Sequence, residues 1–482
     1  MSHVYKYKDF INLANSWVIS SVGLEHYLDR VGVTGSNPVS PTMIKKTKYL
    51  FFFLLTSQFI FSQEYNFDKL NKYFDELEEN NKFMGSVAVS KGDSLIFTRA
   101  IGYLDVEMNE KLNSKSKFRI GSISKTFTSV LILKSVEEGK INLDDTIENY
   151  FPDIPNSNKI TVENLLSHRS GIFNFTDSSD YINYMLESKS REELIEIISN
   201  FDSSFKPGRR SSYSNSNYVL LTIILERIYS KNYSELLFDQ IIKPLELKNT
   251  YYGGVIDTYD NEARSYTFAG KWLKQDETDP SVPLGAGGIV SNPIDLVKFS
   301  HLLFSGEILN EESLNKMIKI NGQFALGLFN IPFYKKTGLG HTGGIDGFSS
   351  VFSAFRDDDI YYALNSNGTN FNNNDISIAV LSEIFEKPYE IPVFSNFEVN
   401  PKDLEKLIGS YSSKEIPLII QVSVNNNVLI IQATGQPQIS LNAIEKNLFK
   451  SEIVGAEFEF IPDENSFILR QNGARIKFEK ND

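Results

Sequence analysis

FRIGSISK, Phe118 to Lys125, sets Ser122 and Lys125 three residues apart at the head of an apolar run. The run, TFTSVLILKSVEEG, has helical spacing and stops at Gly139. Residues three apart on a helix share a face, so Lys125 comes within reach of the Ser122 hydroxyl. A serine in the first turn also has its Oγ near the partly positive helix N-terminus. A serine hydroxyl is a weak nucleophile until a neighbouring group takes its proton. Here the base, or the group that tunes it, sits one turn away. Ser-x-x-Lys alone is common on solvated helix starts, and two distant stretches give it weight.

The first of these is FKPGRRSSYSNSNYVLLTIILERIY, residues 205–229. Pro207-Gly208 marks a turn. Tyr213 and Asn215 are expected on a loop just before an apolar helix that starts near Asn217. A tyrosine facing a cation loses its proton more readily than its free value near ~10 implies, and Asn215 offers an amide both a donor and an acceptor. The other stretch is GLGHTGGIDGFSSVFSAF, residues 338–355. His341-Thr342-Gly343-Gly344 precedes an alternating run that reads as a strand, and IYYALNSN follows as another. A glycine-rich strand edge lets a substrate backbone lie alongside and presents a bare N–H to a developing oxyanion. His168, in LLSHRSG, reads as a structural histidine at a helix end, with no orienting partner beside it for a triad.

The 482 residues suffice for two or three domains. Sixty-one acids against 48 bases give −13, which argues against a nucleic-acid partner. There is no cysteine, hence no disulfide, thiolate metal site or cysteine nucleophile. With five histidines and no H-E-x-x-H, neither a metal nor a cofactor is expected.

MIKKTKYLFFFLLTSQFIFSQ, from Met43, places three lysines before an apolar run that ends near Ser62. That is the layout of a secretory signal peptide, too short to span a bilayer comfortably. The expectation is therefore a periplasmic or secreted protein with no stable membrane span after cleavage. Signal peptides start at the N-terminus, so residues 1–42 read as a spurious extension outside the fold. GSNP, at Gly35–Pro38, also matches a translated transfer-RNA T-arm.

The main unit, which holds all three stretches, is expected over 63–386. It opens with an amphipathic helix over Phe67–Asn80, followed by strands 85–91 and 94–103 joined by a Gly-Asp hairpin. Gly285, Gly287 and Gly288 mark a close backbone approach, and a last helix runs from about Asp375 to Glu386. Residues 387–400 read as a linker. The tail, 401–482, reads as a small β-barrel-like domain: from Leu404 onward IPLIIQVSV, NVLIIQAT, EFEFI, SFILRQ and RIKFE have strand character, with an Asn472-Gly473 hairpin. Packing is its default role.

FRIGSISK, PGRRSSYSN and GHTGG, in that order, resemble the three motifs of the serine β-lactamase and penicillin-binding-protein superfamily, most closely its class C-like branch of carboxypeptidase-, D-aminopeptidase- and esterase-like hydrolases. LLSHRSGI, PLELKNT and GAGGIVSNPIDL share that likeness, which covers about residues 65–386. The resemblance implies an α+β fold, with an antiparallel sheet flanked by helices and a helical lobe over 120–300. It implies Ser122 as acylated nucleophile, Lys125 as holder of the proton network and Tyr213 as general base. It also implies Asn215 as a substrate or Lys125 partner, and the N–H groups of Ser122 and Gly344 as oxyanion hole. His341, Thr342 and Gly343 would line the substrate. One departure stands out: His341 occupies the place of the lysine found in classical members, where a permanent cation meets the substrate carboxylate. That points away from an efficient β-lactamase and toward small-molecule or peptide substrates that are esters, amides or D-amino-acid peptides. The other class of function is a non-hydrolytic penicillin- or peptidoglycan-recognising protein of the same fold. The sequence does not give the oligomeric state.

Overall fold

The computed structural model describes residues 65–481, apart from Asn396 and Pro437. The leader and the extension expected before Gln63 lie outside the described residues. Helix α1, Asp68–Glu79, buries Leu70, Tyr73, Phe74 and Leu77, the stripe its 3.6-residue period predicts. Strands β1 (Phe83–Lys91) and β2 (Ser94–Ile101) pair across a two-residue turn at Gly92-Asp93, where Gly92 has φ +58.

After β3 (Phe118–Arg119) and a 3₁₀ turn over Gly121–Ile123 comes helix α2, Ser124–Glu137. Nearly every residue of α2 from Ser124 to Leu133 is buried, so it is the central helix of the lobe rather than an amphipathic surface helix. Phe127 stacks on Phe299 with ring centroids 3.9 Å apart. Gly139, at φ +68, ends the helix as expected: its N–H reaches the Val136 carbonyl, and the Lys140 N–H reaches that of Ser135. Helix α3 spans Asn215–Tyr229, β4 Ile289–Ser291 and α4 Pro293–Phe304. Asn215 is thus the first residue of α3, two positions earlier than the sequence suggested.

The sheet is completed by β5 (Phe329–Phe333), β6 (Lys336–Ile345), β7 (Phe348–Phe355) and β8 (Ile360–Thr369). Its order is β5-β6-β7-β8-β1-β2 with antiparallel neighbours throughout, and a short hairpin at 266–274 adds to β8. The HTGG residues lie inside β6, not ahead of a strand as their glycines suggested. One sheet face packs Val87, Val89, Val351, Tyr362 and Leu364 against α1 and α5 (Asn373–Ile384). The other presents Ala88, Phe352, Ala354 and Ala363 to the helical lobe, where α4 lies on it. Alanines at these positions keep the helix close.

None of the described residues between 387 and 400 is in a helix or strand. The tail then opens with a helix, α6 (Pro401–Leu407), capped by Asn400 and started by Pro401. This corrects the reading of strand from Leu404: Leu404 and Leu407 are both buried at helical spacing, but two apolar residues are too few to reveal a period. Eight strands follow: β9 (Gly409–Ser412), β10 (Ile419–Asn425), β11 (Val428–Ala433), β12 (Ile439–Glu445), β13 (Leu448–Ser451), β14 (Ala456–Ile461), β15 (Ser466–Gln471) and β16 (Ala474–Lys480). β9 pairs with both β10 and β16, which closes the barrel and removes its edges. Strands β9 and β13 escape a sequence reading because they have four residues each, and β12 because its side chains do not alternate between buried and exposed. Asn472 and Gly473 both have positive φ, as a type I′ hairpin requires.

Candidate active site

Ser122 sits in the 3₁₀ turn between β3 and α2, 6% exposed. Gly121 has φ +51, and a Cβ there would lie 2.8 Å from the Gly344 nitrogen. Glycine is required at 121 for both reasons, and its absence of side chain lets the Ser122 turn touch β6.

Lys125 is fully buried. Its Nζ lies 2.9 Å from Ser122 Oγ, 2.7 Å from Asn215 Oδ1 and 2.7 Å from the Ala286 carbonyl oxygen. Those partners match the three donors of an ammonium, yet none is a carboxylate. Burial pulls the Lys125 amine well below its ordinary value. Tyr213 Oη donates to Ser122 Oγ at 2.6 Å, and Lys125 Nζ lies 4.9 Å from the Tyr213 ring centroid. Ser122 Oγ therefore accepts from a buried amine on one side and a phenol on the other.

Asn215 is locked in place by the 173–177 loop. Its N–H donates to Asn174 Oδ1 at 2.8 Å and its Nδ2 to Thr176 Oγ1 at 2.9 Å. The amide end is set by Lys125, whose Nζ donates to Oδ1, while the Thr176 hydroxyl accepts from Nδ2. Next on that loop, Asp177 accepts from Asn174 Nδ2 at 2.7 Å and has no ion pair among the described residues; partial burial raises its carboxyl.

His168 is a buried structural residue, as expected. Its Nδ1 accepts the Ser214 N–H at 3.1 Å, and its ring lies 4.5 Å from that of Tyr213. Burial lowers its basicity, so a neutral ring buttresses the tyrosine. His341 is also buried, with Nδ1 2.6 Å from the Thr342 carbonyl oxygen and its ring 4.8 Å from that of Phe329. Burial first, and neighbouring Lys125 second, lower it to about 3. It is neutral at pH 7.

β5 pairs only with Lys336–Gly340, so among the described residues no strand pairs with 341–345 on that side. Gly343 faces the Ser122 turn: a Cβ there would lie 2.0 Å from the Ile120 oxygen and 3.1 Å from the Ser122 nitrogen. Thr342 is half-buried beside it, and Gly344 is exposed. The structure thus gathers Ser122, Lys125, Tyr213, Asn215, Gly343 and Gly344 at one junction of lobe and sheet. The sequence missed the Ala286 carbonyl. Its flanking glycines were a signal of close approach, and a Cβ at Gly285 would lie 2.4 Å from both Thr128 Oγ1 and Thr222 Oγ1. No group of His, Asp and Glu suited to a metal ion occurs among the described residues.

A serine held between a buried lysine and a tyrosine, at the edge of an antiparallel sheet, is the arrangement of a serine hydrolase. The family model Beta-lactamase matches residues 70–382, and the chain belongs to that family. It is 24% identical over 455 residues to a penicillin-binding protein of Bacillus subtilis (strain 168), covering 84% of this chain and 96% of that one. It is 27% identical over 339 residues to the teichoic acid D-alanine hydrolase of Staphylococcus aureus (strain MRSA252), covering 68% and 80%. The crystal structure of D-amino acid amidase from Ochrobactrum anthropi SV3, complexed with L-phenylalanine amide, superposes with a TM-score of 0.60 at 26% identity, covering 66% and 99%.

Proposed function

We propose that the protein is an exported serine hydrolase that forms an acyl-enzyme on Ser122 and acts on esters or amides of D-amino acids, including D-amino-acid peptides. The observation that carries this reading is the double contact of Ser122 Oγ, with Lys125 Nζ at 2.9 Å and Tyr213 Oη at 2.6 Å. Here Lys125 in its neutral form, favoured by burial, rather than Tyr213 as the resemblance implies, takes the serine proton as Oγ attacks the carbonyl carbon. The carbonyl oxygen becomes an oxyanion facing the N–H groups of Ser122 and Gly344. Tyr213 gives its proton to the departing oxygen or nitrogen and regains one from Lys125, so the first product leaves with one proton and Lys125 and Tyr213 return to their starting states. Water then enters and gives a proton to the same pair as its oxygen bonds to the acyl carbon; the acyl–Oγ bond breaks and the proton returns to Ser122 Oγ. Asn215 and the Ala286 carbonyl hold Lys125 in line throughout.

Three observations support the substrate class. The relatives include one named for D-alanine chemistry, similar in sequence, and one named for D-amino acid chemistry, similar in structure. His341 is neutral, so it supplies no permanent cation for the carboxylate of a β-lactam. Asp177, without an ion-pair partner, stands on the loop that holds Asn215 and suits the ammonium of an aminoacyl group. Export to the periplasm or beyond rests on the leader that begins at Met43. A screen of D- and L-aminoacyl esters and amides beside β-lactams tests the reading. Turnover of D-aminoacyl substrates that is lost in Ser122→Ala is the expected result; a preference for β-lactams would sink the substrate class.

A further inference from the structure

We propose that Arg119 and Asp346 are positioning residues that set the separation of the two oxyanion donors, the N–H groups of Ser122 and Gly344. The proposal rests on the acyl-enzyme reading above. The two donors belong to segments that share no ladder. β3 pairs with β4, through Phe118–Ser291 and Arg119–Val290, whereas β6 pairs with β5 and β7. Glycines 121 and 343 let these segments touch, but a residue without a side chain fixes no distance.

An ion pair joins them. Arg119 lies three residues before Ser122, and Asp346 two residues after Gly344. Arg119 Nη1 donates to Asp346 Oδ2 at 3.1 Å and to the Thr278 carbonyl at 2.7 Å; Nη2 donates to the Gly254 carbonyl at 3.0 Å. The other oxygen of Asp346 accepts from the Thr278 N–H at 3.0 Å and its hydroxyl at 2.6 Å. Glu277, 3.5 Å from Arg119, is itself held by Arg264 Nη1 at 2.7 Å and the Ile256 N–H at 3.1 Å. The Asp346 side chain is 0% exposed and that of Arg119 7%. Both partners are therefore anchored on several sides, and the pair acts as a rigid strut.

Two features argue that the strut serves geometry rather than stability. A buried ion pair is often no more stabilising than apolar residues of the same volume. Asp346 also has φ +51, a conformation that glycine adopts more easily, so the position uses the carboxylate and tolerates the strain. Oxyanion donors act only when aimed at where the charge develops, and a shift of about 1 Å in such a group costs about 100-fold in rate.

The test uses the purified full chain with Asp346→Asn and, as a milder change, Thr278→Val. Melting temperature, kcat and KM on a D-aminoacyl ester are read beside the affinity for a boronic acid, which forms a tetrahedral adduct, and for the amino-acid product. In a folded Asp346→Asn protein, kcat and boronate affinity should fall together by about tenfold or more, while KM and product affinity stay within about twofold. Thr278→Val should move the same two quantities in the same direction, by less. A folded Asp346→Asn protein with wild-type kcat and boronate affinity overturns the proposal. If that variant does not fold, a Thr278→Val protein whose kcat and boronate affinity are unchanged overturns it. Failure of the acyl-enzyme reading looks different: the wild type itself would show neither turnover nor a serine adduct, and the proposal would fall with it.

Discussion

The C-terminal barrel and the serine site are built on opposite rules. In β14, Ala456, Phe458 and Phe460 point inward while Glu457 and Glu459 point away, and β10 and β16 alternate in the same way. The barrel core includes Leu429, Ile431, Phe449, Phe467 and Phe478. Local pattern and final structure agree there, as they do in a unit whose task is to pack. The serine site breaks the pattern repeatedly. It buries a lysine without a carboxylate partner, puts Gly121 and Asp346 at positive φ, and encloses two neutral histidines. Such departures cost stability and concentrate where chemistry is done. The two regions should therefore respond to substitution in opposite currencies, activity for one and stability for the other.

The largest expected effect is on activity at the serine. Ser122→Ala should reduce turnover by at least about 10³-fold with little change in melting temperature. Tyr213→Phe, which keeps the ring against His168 and removes the hydroxyl, should cost about 10²–10⁴-fold in kcat/KM. The mirror experiment is Phe467→Ala, fully buried in the barrel. It should destabilise the barrel by about 3–5 kcal/mol in a denaturant titration and leave kcat of the folded protein alone. A large loss of kcat in that variant would break the contrast.

Gly121→Ala tests whether the site's backbone is under the constraint described. The new Cβ would sit 2.8 Å from the Gly344 nitrogen, at a φ that costs alanine about 1–2 kcal/mol. Both stability and kcat should fall, and wild-type kcat would show that the close approach is not needed.

Lys125 gives a pH signature. Burial lowers its folded value below the ordinary 10.5, so between the two the unfolded chain binds more protons than the folded one. Stability from this group accordingly rises with pH through that window and levels off above 10.5. Lys125→Met should flatten that slope of melting temperature against pH while abolishing activity. A slope identical to wild type would mean that Lys125 is not held in the state described. The smallest effect expected is that of Asp177→Asn. It should lower kcat/KM about tenfold for substrates with a free α-amino group and leave N-acylated analogues unchanged, in line with about 1–3 kcal/mol for a charged hydrogen bond. Equal losses on both substrates would remove Asp177 from substrate recognition.

Much of this was legible before any coordinates. Ser122, Lys125, Tyr213, Asn215 and the HTGG strand carry motifs, because their chemistry demands particular side chains at fixed local spacing. What was not legible depends on backbone atoms or on distant partners. The Ala286 carbonyl lies 161 residues from Lys125, and a carbonyl leaves no mark on the side-chain sequence. Arg119 and Asp346 are 227 residues apart, and each alone reads as a surface charge. Asn215 reads as loop because the apolar run begins only after Asn217, yet it opens α3, held by Asn174 and Thr176 from another segment. In the barrel, long apolar strands were found, and the short serine-rich ones were hidden because register and closure, not composition, define them.

The most direct test of the serine site is the intact mass of the purified protein after treatment with a fluorophosphonate, beside Ser122→Ala. One adduct per chain in the wild type and none in the variant is the predicted result, since only an activated serine reacts. An unmodified wild type, or an adduct that persists in Ser122→Ala, would contradict the assignment of Ser122 as the nucleophile.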